Sequence, residues 1–208
     1  MQRLFALVVL GLAAVSTGAQ TPAEALFRAI DDGNLEKAER LVETKIHLAA
    51  KNEEGESPLY VAVEKGHAVL VKLLLDNKAD FDARTPNGET ALHAAALQGD
   101  PELGRLLIEA GAESNAVNND GETPLFWAAM TGTLQVIELL VDRGVPMNTP
   151  DARGNTPLHA AAANGHREVV RFLLSKKVSL GDRNKEGQTA LDLARSRNHA
   201  DIVRLLQK

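Results

Sequence analysis

The sequence predicts an all-α solenoid: helix–turn–helix units joined by short hairpin turns and stacked into one curved array. Three observations carry this reading. Glycine recurs at a step of 33 residues at Gly55, Gly88, Gly121, Gly154 and Gly187, and a second set, Gly33, Gly66, Gly99, Gly132 and Gly165, keeps the same step. Between them, alanine-rich stretches alternate with bulkier aliphatic ones. Self-similarity of this length marks a stacked-repeat architecture, in which each unit touches only its neighbours and the array offers one long surface. Recognition is therefore a more natural function for it than chemistry.

The first nineteen residues stand apart. Arg3 precedes an uncharged run from Leu4 to Val15, followed by the small residues Ser16, Thr17, Gly18 and Ala19. This is the pattern of a secretory leader, with Thr17 and Ala19 suited to cleavage before Gln20. The apolar run is too short for a spanning helix, which needs about 20 residues. Lipid attachment at the cut would need a cysteine, and the chain has 0 cysteines. That count also removes disulfides and thiolate metal sites. An exported product without stable membrane insertion is expected, in a bacterial periplasm or otherwise secreted. The rival reading is a tethered scaffold that retains the leader.

From residue 20 onward the units fall at 20–51, 52–84, 85–117, 118–150, 151–183 and 184–208. Each internal unit opens on a turn such as Asn87-Gly88 or Asp120-Gly121, where glycine accepts the positive φ of a tight turn. Next comes Ser57-Pro58, Thr123-Pro124 or Thr156-Pro157: a hydroxyl N-cap, then proline at the first helical position, where a missing N–H costs nothing. Thr90 and Thr189 keep the cap without proline. The first helix is slim, as in Ala94 to Ala96 and Ala160 to Ala163, and ends near the second glycine. The second is bulkier: Leu70, Val71, Leu73, Leu74 and Leu75 in one unit become Val169, Val170, Phe172, Leu173 and Leu174 in another. A slim layer stacked beside a bulky one bows the array toward the slim side, so the hollow belongs to the first helices.

Thr156-Pro157-Leu158-His159-Ala160-Ala161-Ala162, its near copy Thr90-Ala91-Leu92-His93-Ala94-Ala95-Ala96, and Gly111-Ala112 resemble the ankyrin repeat, over roughly residues 20–208. The resemblance implies a solenoid that binds other proteins. Tyr60, Phe126 and Asp192 stand where the family has histidine, so the hydrogen bond between the capping hydroxyl and that ring is expected to be missing there. Lys78 and Lys177 replace the glycine that closes the second helix. Lys37 and Arg40 take the places of Leu70 and Leu73, and Arg195 that of Val63, which reads as two terminal caps, 20–51 and 184–208, bounding a complete array.

No metal site or cofactor is expected. His93 and His159 lie two units apart, too far to share an ion at about 10 Å per layer, and His67, His166 and His199 recur at the start of second helices, as polar caps. Catalytic motifs are absent and the acids are scattered, so an enzyme with a site in the groove is only the alternative of another class.

The candidate partner-binding residues follow from the resemblance. The residue after each Leu-His pair, and the two before each closing glycine, should face the hollow: Val61, Glu64 and Lys65; Ala94, Leu97 and Gln98; Trp127, Met130 and Thr131; Ala160, Ala163 and Asn164. Leu97, Trp127 and Met130 form the greasy centre, with the single tryptophan as expected hot spot. Charge is polarised along the chain. Units 52–84, 85–117 and 118–150 carry −3, −4 and −3, whereas 151–183 and 184–208 carry +3 and +2. Without residues 1–19 the chain has 22 basic and 28 acidic side chains, or −6, which argues against nucleic acid as partner. The expectation is a monomeric, non-catalytic adaptor, protector or inhibitor that holds a protein partner.

Overall fold

The computed structural model describes residues 21–43 and 48–207. The expected leader lies outside these residues. Among them the chain forms helices in six pairs and no strand: α1 (Pro22–Asp31) and α2 (Leu35–Val42), α3 (Pro58–Glu64) and α4 (Ala68–Asp76), α5 (Ala91–Gln98) and α6 (Pro101–Ala110), α7 (Pro124–Thr131) and α8 (Leu134–Asp142), α9 (Pro157–Ala163) and α10 (Arg167–Ser175), α11 (Ala190–Ser196) and α12 (Ala200–Leu206). The odd-numbered helices pack on one another in one layer, the even-numbered in a second, and each pair closes between the layers.

The first helices start where hydroxyls supply the missing acceptors. Ser57 Oγ accepts from the Tyr60 N–H at 3.2 Å and Thr123 Oγ1 from the Phe126 N–H at 3.1 Å. They pack closely because a single column of alanines, Ala29, Ala62, Ala95, Ala128, Ala161 and Ala194, is wholly buried at 0% exposure, leaving no side-chain bulk between neighbouring backbones. Leucines fill the adjoining space, with Leu26, Leu59, Leu92, Leu125 and Leu158 at most 2% exposed. Each such leucine contributes about 2 kcal/mol. Arg40 and Arg195 are exposed in the terminal pairs, and Lys37 is half-buried.

Two expectations about side-chain bonds are corrected. The histidines at the start of the second helices make no cap bond to their own helix. His166 instead donates from Nε2 to the Met130 carbonyl at 2.8 Å, and His199 to that of Ala163 at 3.1 Å. The reason is that a first helix leaves the carbonyls of its last turn without partners, and the ring from the next unit reaches them. His67 holds the same register, with its Nε2 buried and unpartnered.

The second correction concerns Asp192. Its carboxylate accepts from the Thr189 N–H at 3.0 Å and from the Thr189 hydroxyl at 2.7 Å, doing the work of the absent histidine. The same two bonds, backbone first, hold its carboxyl below the usual range. At Tyr60 the bond is lost as expected, but the hydroxyl reaches the next unit and donates to Glu89 Oε2 at 3.3 Å. Burial, then the charge of Glu89, pushes that phenol above its ordinary pKa.

Candidate partner-binding surface

Two rows of residues flank the first helices, one at the turns that lead into them and one at their C-terminal ends. The first row is the turn tips. Each tip is shaped by one side chain at its start: Asn118 Oδ1 accepts from the Glu122 N–H at 2.9 Å, Asp151 Oδ1 from the Asn155 N–H at 2.7 Å, and Asn184 Oδ1 from the Gln188 N–H at 2.9 Å. Neighbouring tips are then tied through their backbones, by Asn119 N–H to Asn87 O at 2.9 Å, Ala152 N–H to Asp120 O at 2.6 Å and Lys185 N–H to Arg153 O at 2.8 Å. The side chains of Asn119, Asp120, Ala152, Arg153, Lys185 and Glu186 are left exposed.

The second row is the C-terminal ends of the first helices. Here Glu64, Lys65, Gln98 and Asn164 are exposed, Leu97 is 46% exposed, and Met130, Thr131 and Ala163 are half-buried. Tips and helix ends line a common hollow of about 320 Å³ at the first of these units, formed by Asp31, Asn52, Glu54, Glu56, Val61, Glu64 and Lys65.

The position after the Leu-His pair, or after Leu59-Tyr60 and Leu125-Phe126 that stand in its place, is buried, although Val61 also lines the hollow. Val61, Ala94, Trp127 and Ala160 are buried at 4%, 2%, 8% and 7% exposure, on the face of the first helix turned into the stack. Trp127 therefore does not present its ring to solvent. Its Nε1–H donates to Glu122 Oε2 at 2.7 Å, and its ring meets that of His93 edge to face, centroids 5.4 Å apart at 76°. Alanine-rich neighbours make room for the indole rather than excluding it.

Sequence reasoning missed the partner of that ring. His93 is 0% exposed; its Nδ1 accepts from the Thr90 N–H at 3.1 Å, and its Nε2 donates to the Glu122 carbonyl in the next unit at 3.1 Å. His159 repeats the arrangement with Thr156 and the carbonyl of Gln188, at 3.2 and 3.1 Å. Burial of His93 pushes its imidazole down to about 4. These rings are staples between units. Among the described residues no group of three or more histidines or acids is placed to hold a metal ion, and no helix is long and apolar enough to cross a membrane.

The deciding comparison is with protein families. The family described as ankyrin repeats (3 copies) matches residues 6–85, 69–151 and 143–208. The chain belongs to the ankyrin-repeat family. A search of curated proteins returns no match. Ankyrin repeats are protein–protein interaction modules, and the paired helices with stapled, exposed tips are that module's architecture. The first matched segment of the ankyrin array opens at residue 6, inside the stretch 1–19 expected as a leader.

Proposed function

We propose that this ankyrin array is an exported, monomeric, non-catalytic module that holds another protein along its turn tips and first-helix ends, as an adaptor, protector or inhibitor. The observation that carries the reading is the contrast along each first helix: Leu59, Ala62 and Val63 are at most 1% exposed, whereas Glu64 and Lys65, which follow directly, are exposed. The same contrast separates Ala95 and Ala96 from Leu97 and Gln98. An edge spared from packing in unit after unit supports contact with a large partner. Contact residues are Glu64, Lys65, Leu97, Gln98, Met130, Thr131 and Asn164; Ala94, Trp127 and Ala160 support that row from behind, and Val61 lines the hollow at its first unit.

The leader supports export to a periplasm or the extracellular space. Capture with the tagged mature chain from the exported fraction, followed by mass spectrometry, tests the reading. One protein, displaced by excess untagged chain, is the expected result; retention of nothing beyond a blank matrix would sink it. The family match from residue 6 favours a second reading, in which the leader is retained as part of the array or as a tether. N-terminal sequencing decides: a start near Gln20 supports cleavage, a start at Met1 the alternative.

A further inference from the structure

The second row of the edge divides into two columns. In one, which ends at Arg197, each of the four side chains before it has a partner. Lys65 Nζ lies 3.7 Å from Asp31 Oδ1, Gln98 Nε2 donates to the Glu64 carbonyl at 2.5 Å, Thr131 Oγ1 to that of Trp127 at 3.0 Å, and Asn164 Nδ2 to that of Ala160 at 2.9 Å. The other column reads Glu64, Leu97, Met130, Ala163 and Ser196, one residue per unit. Among the described residues Glu64 has no ion-pair or side-chain hydrogen-bond partner. Among the described residues the exposed large apolar side chains are Val69, Leu97, Val117 and Leu180, of which Leu97 alone sits on a first helix, and Met130 stands next to it in the column.

Charge along the same edge is mainly acidic at one end, where Lys65 is the exposed exception, and mainly basic at the other, where Glu186 is. Asp31, Asp32, Glu54 and Glu64 are exposed at one end, Arg153, Lys185, Arg195 and Arg197 at the other. Residues 20–51 carry −1, the next three units −3, −4 and −3, and the last two +3 and +2. With screening over about 8 Å, charges in adjacent units act as a graded field and not as a single pole. Such a field contributes little to affinity pair by pair, but it fixes which way round a partner lies.

We infer that the edge selects a polypeptide segment of one chemistry: basic at the end that meets Glu64, apolar over Leu97 and Met130, and acidic at the end that meets Arg197. This rests on the protein-binding reading and specifies its partner. From Glu64 to Arg197 is four unit steps of about 10 Å, or about 40 Å, a span of about 12 residues in an extended chain. Leu97 is the anchor, because it is the apolar surface in the row that loses most water on contact.

Selection of a displayed random-peptide library on the mature chain, on Leu97→Ser and on the double variant Glu64→Lys with Arg197→Glu tests the inference. All three positions are exposed, and thermal melts check that the variants stay folded. The expected pool has Lys or Arg on one side of an apolar centre and Asp or Glu on the other; its members bind Leu97→Ser about tenfold more weakly and lose preference for the double variant. No enrichment, a pool without this order, or equal binding by the variants overturns the proposal. So does a concentration-dependent dimer that Leu97→Ser abolishes, because the occupant is then a second copy. Equal retention by these variants of a protein captured from the exported fraction removes this inference and leaves the module function standing. Peptide selection without any captured protein does the reverse.

Discussion

Trp127 and Glu122 are joined by a 2.7 Å hydrogen bond from the indole N–H to a carboxylate oxygen, at the place where the first helices of two units press together. The bond gives the indole a partner for its only polar atom, so the ring is buried without an unmet donor. Trp127→Ala is accordingly expected to lower stability by about 3 kcal/mol, since it empties a ring-sized space against His93. Urea unfolding followed by circular dichroism measures this; an unmoved midpoint would sink it. Trp127→Phe should fall between the two.

His93 sets a pH dependence. Burial holds its pKa at about 4, below the 6.5 of a free imidazole, with Arg84 acting the same way and the Glu122 carbonyl opposing. The unfolded chain therefore takes up a proton that the folded chain refuses. Stability from this group is complete above pH 6.5 and is lost as pH falls toward 4, by about 3 kcal/mol in all. Unfolding curves across that window for the wild type and His93→Gln provide the check: the variant should show a shallower slope, and parallel slopes would contradict the assignment.

Lys78 and Lys177 have φ of 69° and 59°, in the register where Gly111 and Gly144 adopt 107° and 79°. A side chain in this left-handed region costs more than glycine's extra freedom in the unfolded chain. Lys78→Gly and Lys177→Gly are each expected to raise stability by about 0.5–1 kcal/mol, read as a higher denaturation midpoint. A lower midpoint in both would show that their backbone is unstrained.

Gly132 has φ of 83°, and a Cβ there would come within 2.4 Å of the His166 ring that bonds Met130. Gly66, at 74°, has nothing within 4 Å of such an atom. Gly132→Ala should cost about 2 kcal/mol and Gly66→Ala about 1 kcal/mol. Equal losses would mean that the imidazole swings aside freely.

The fold was legible because its demands recur at one spacing. Positive φ at Gly88 and Gly121, the caps at Ser57 and Thr123 and the buried alanine column each repeat in register, so independent residues agree on one answer. Legibility failed where a side chain's partner comes from the next unit. Nothing within the unit of His166 indicates that its ring bonds the carbonyl of Met130, and a carboxylate can take the histidine's role at Asp192 because the cap needs only an acceptor. The burial of Trp127 was hidden in the sequence for a related reason. Its ring meets that of His93 in the preceding unit, in space that small side chains leave.

The backbone bonds from Asn119 to Asn87, Ala152 to Asp120 and Lys185 to Arg153 turn separate loops into a continuous rail. Loops that are free in solution must surrender about 1–2 kcal/mol per residue in order to be held by a visitor. Here that surrender happened when the array folded. Substitution of a tip side chain can thus alter what the rail grips while its shape, and the readiness of the rail to grip at all, stay the same.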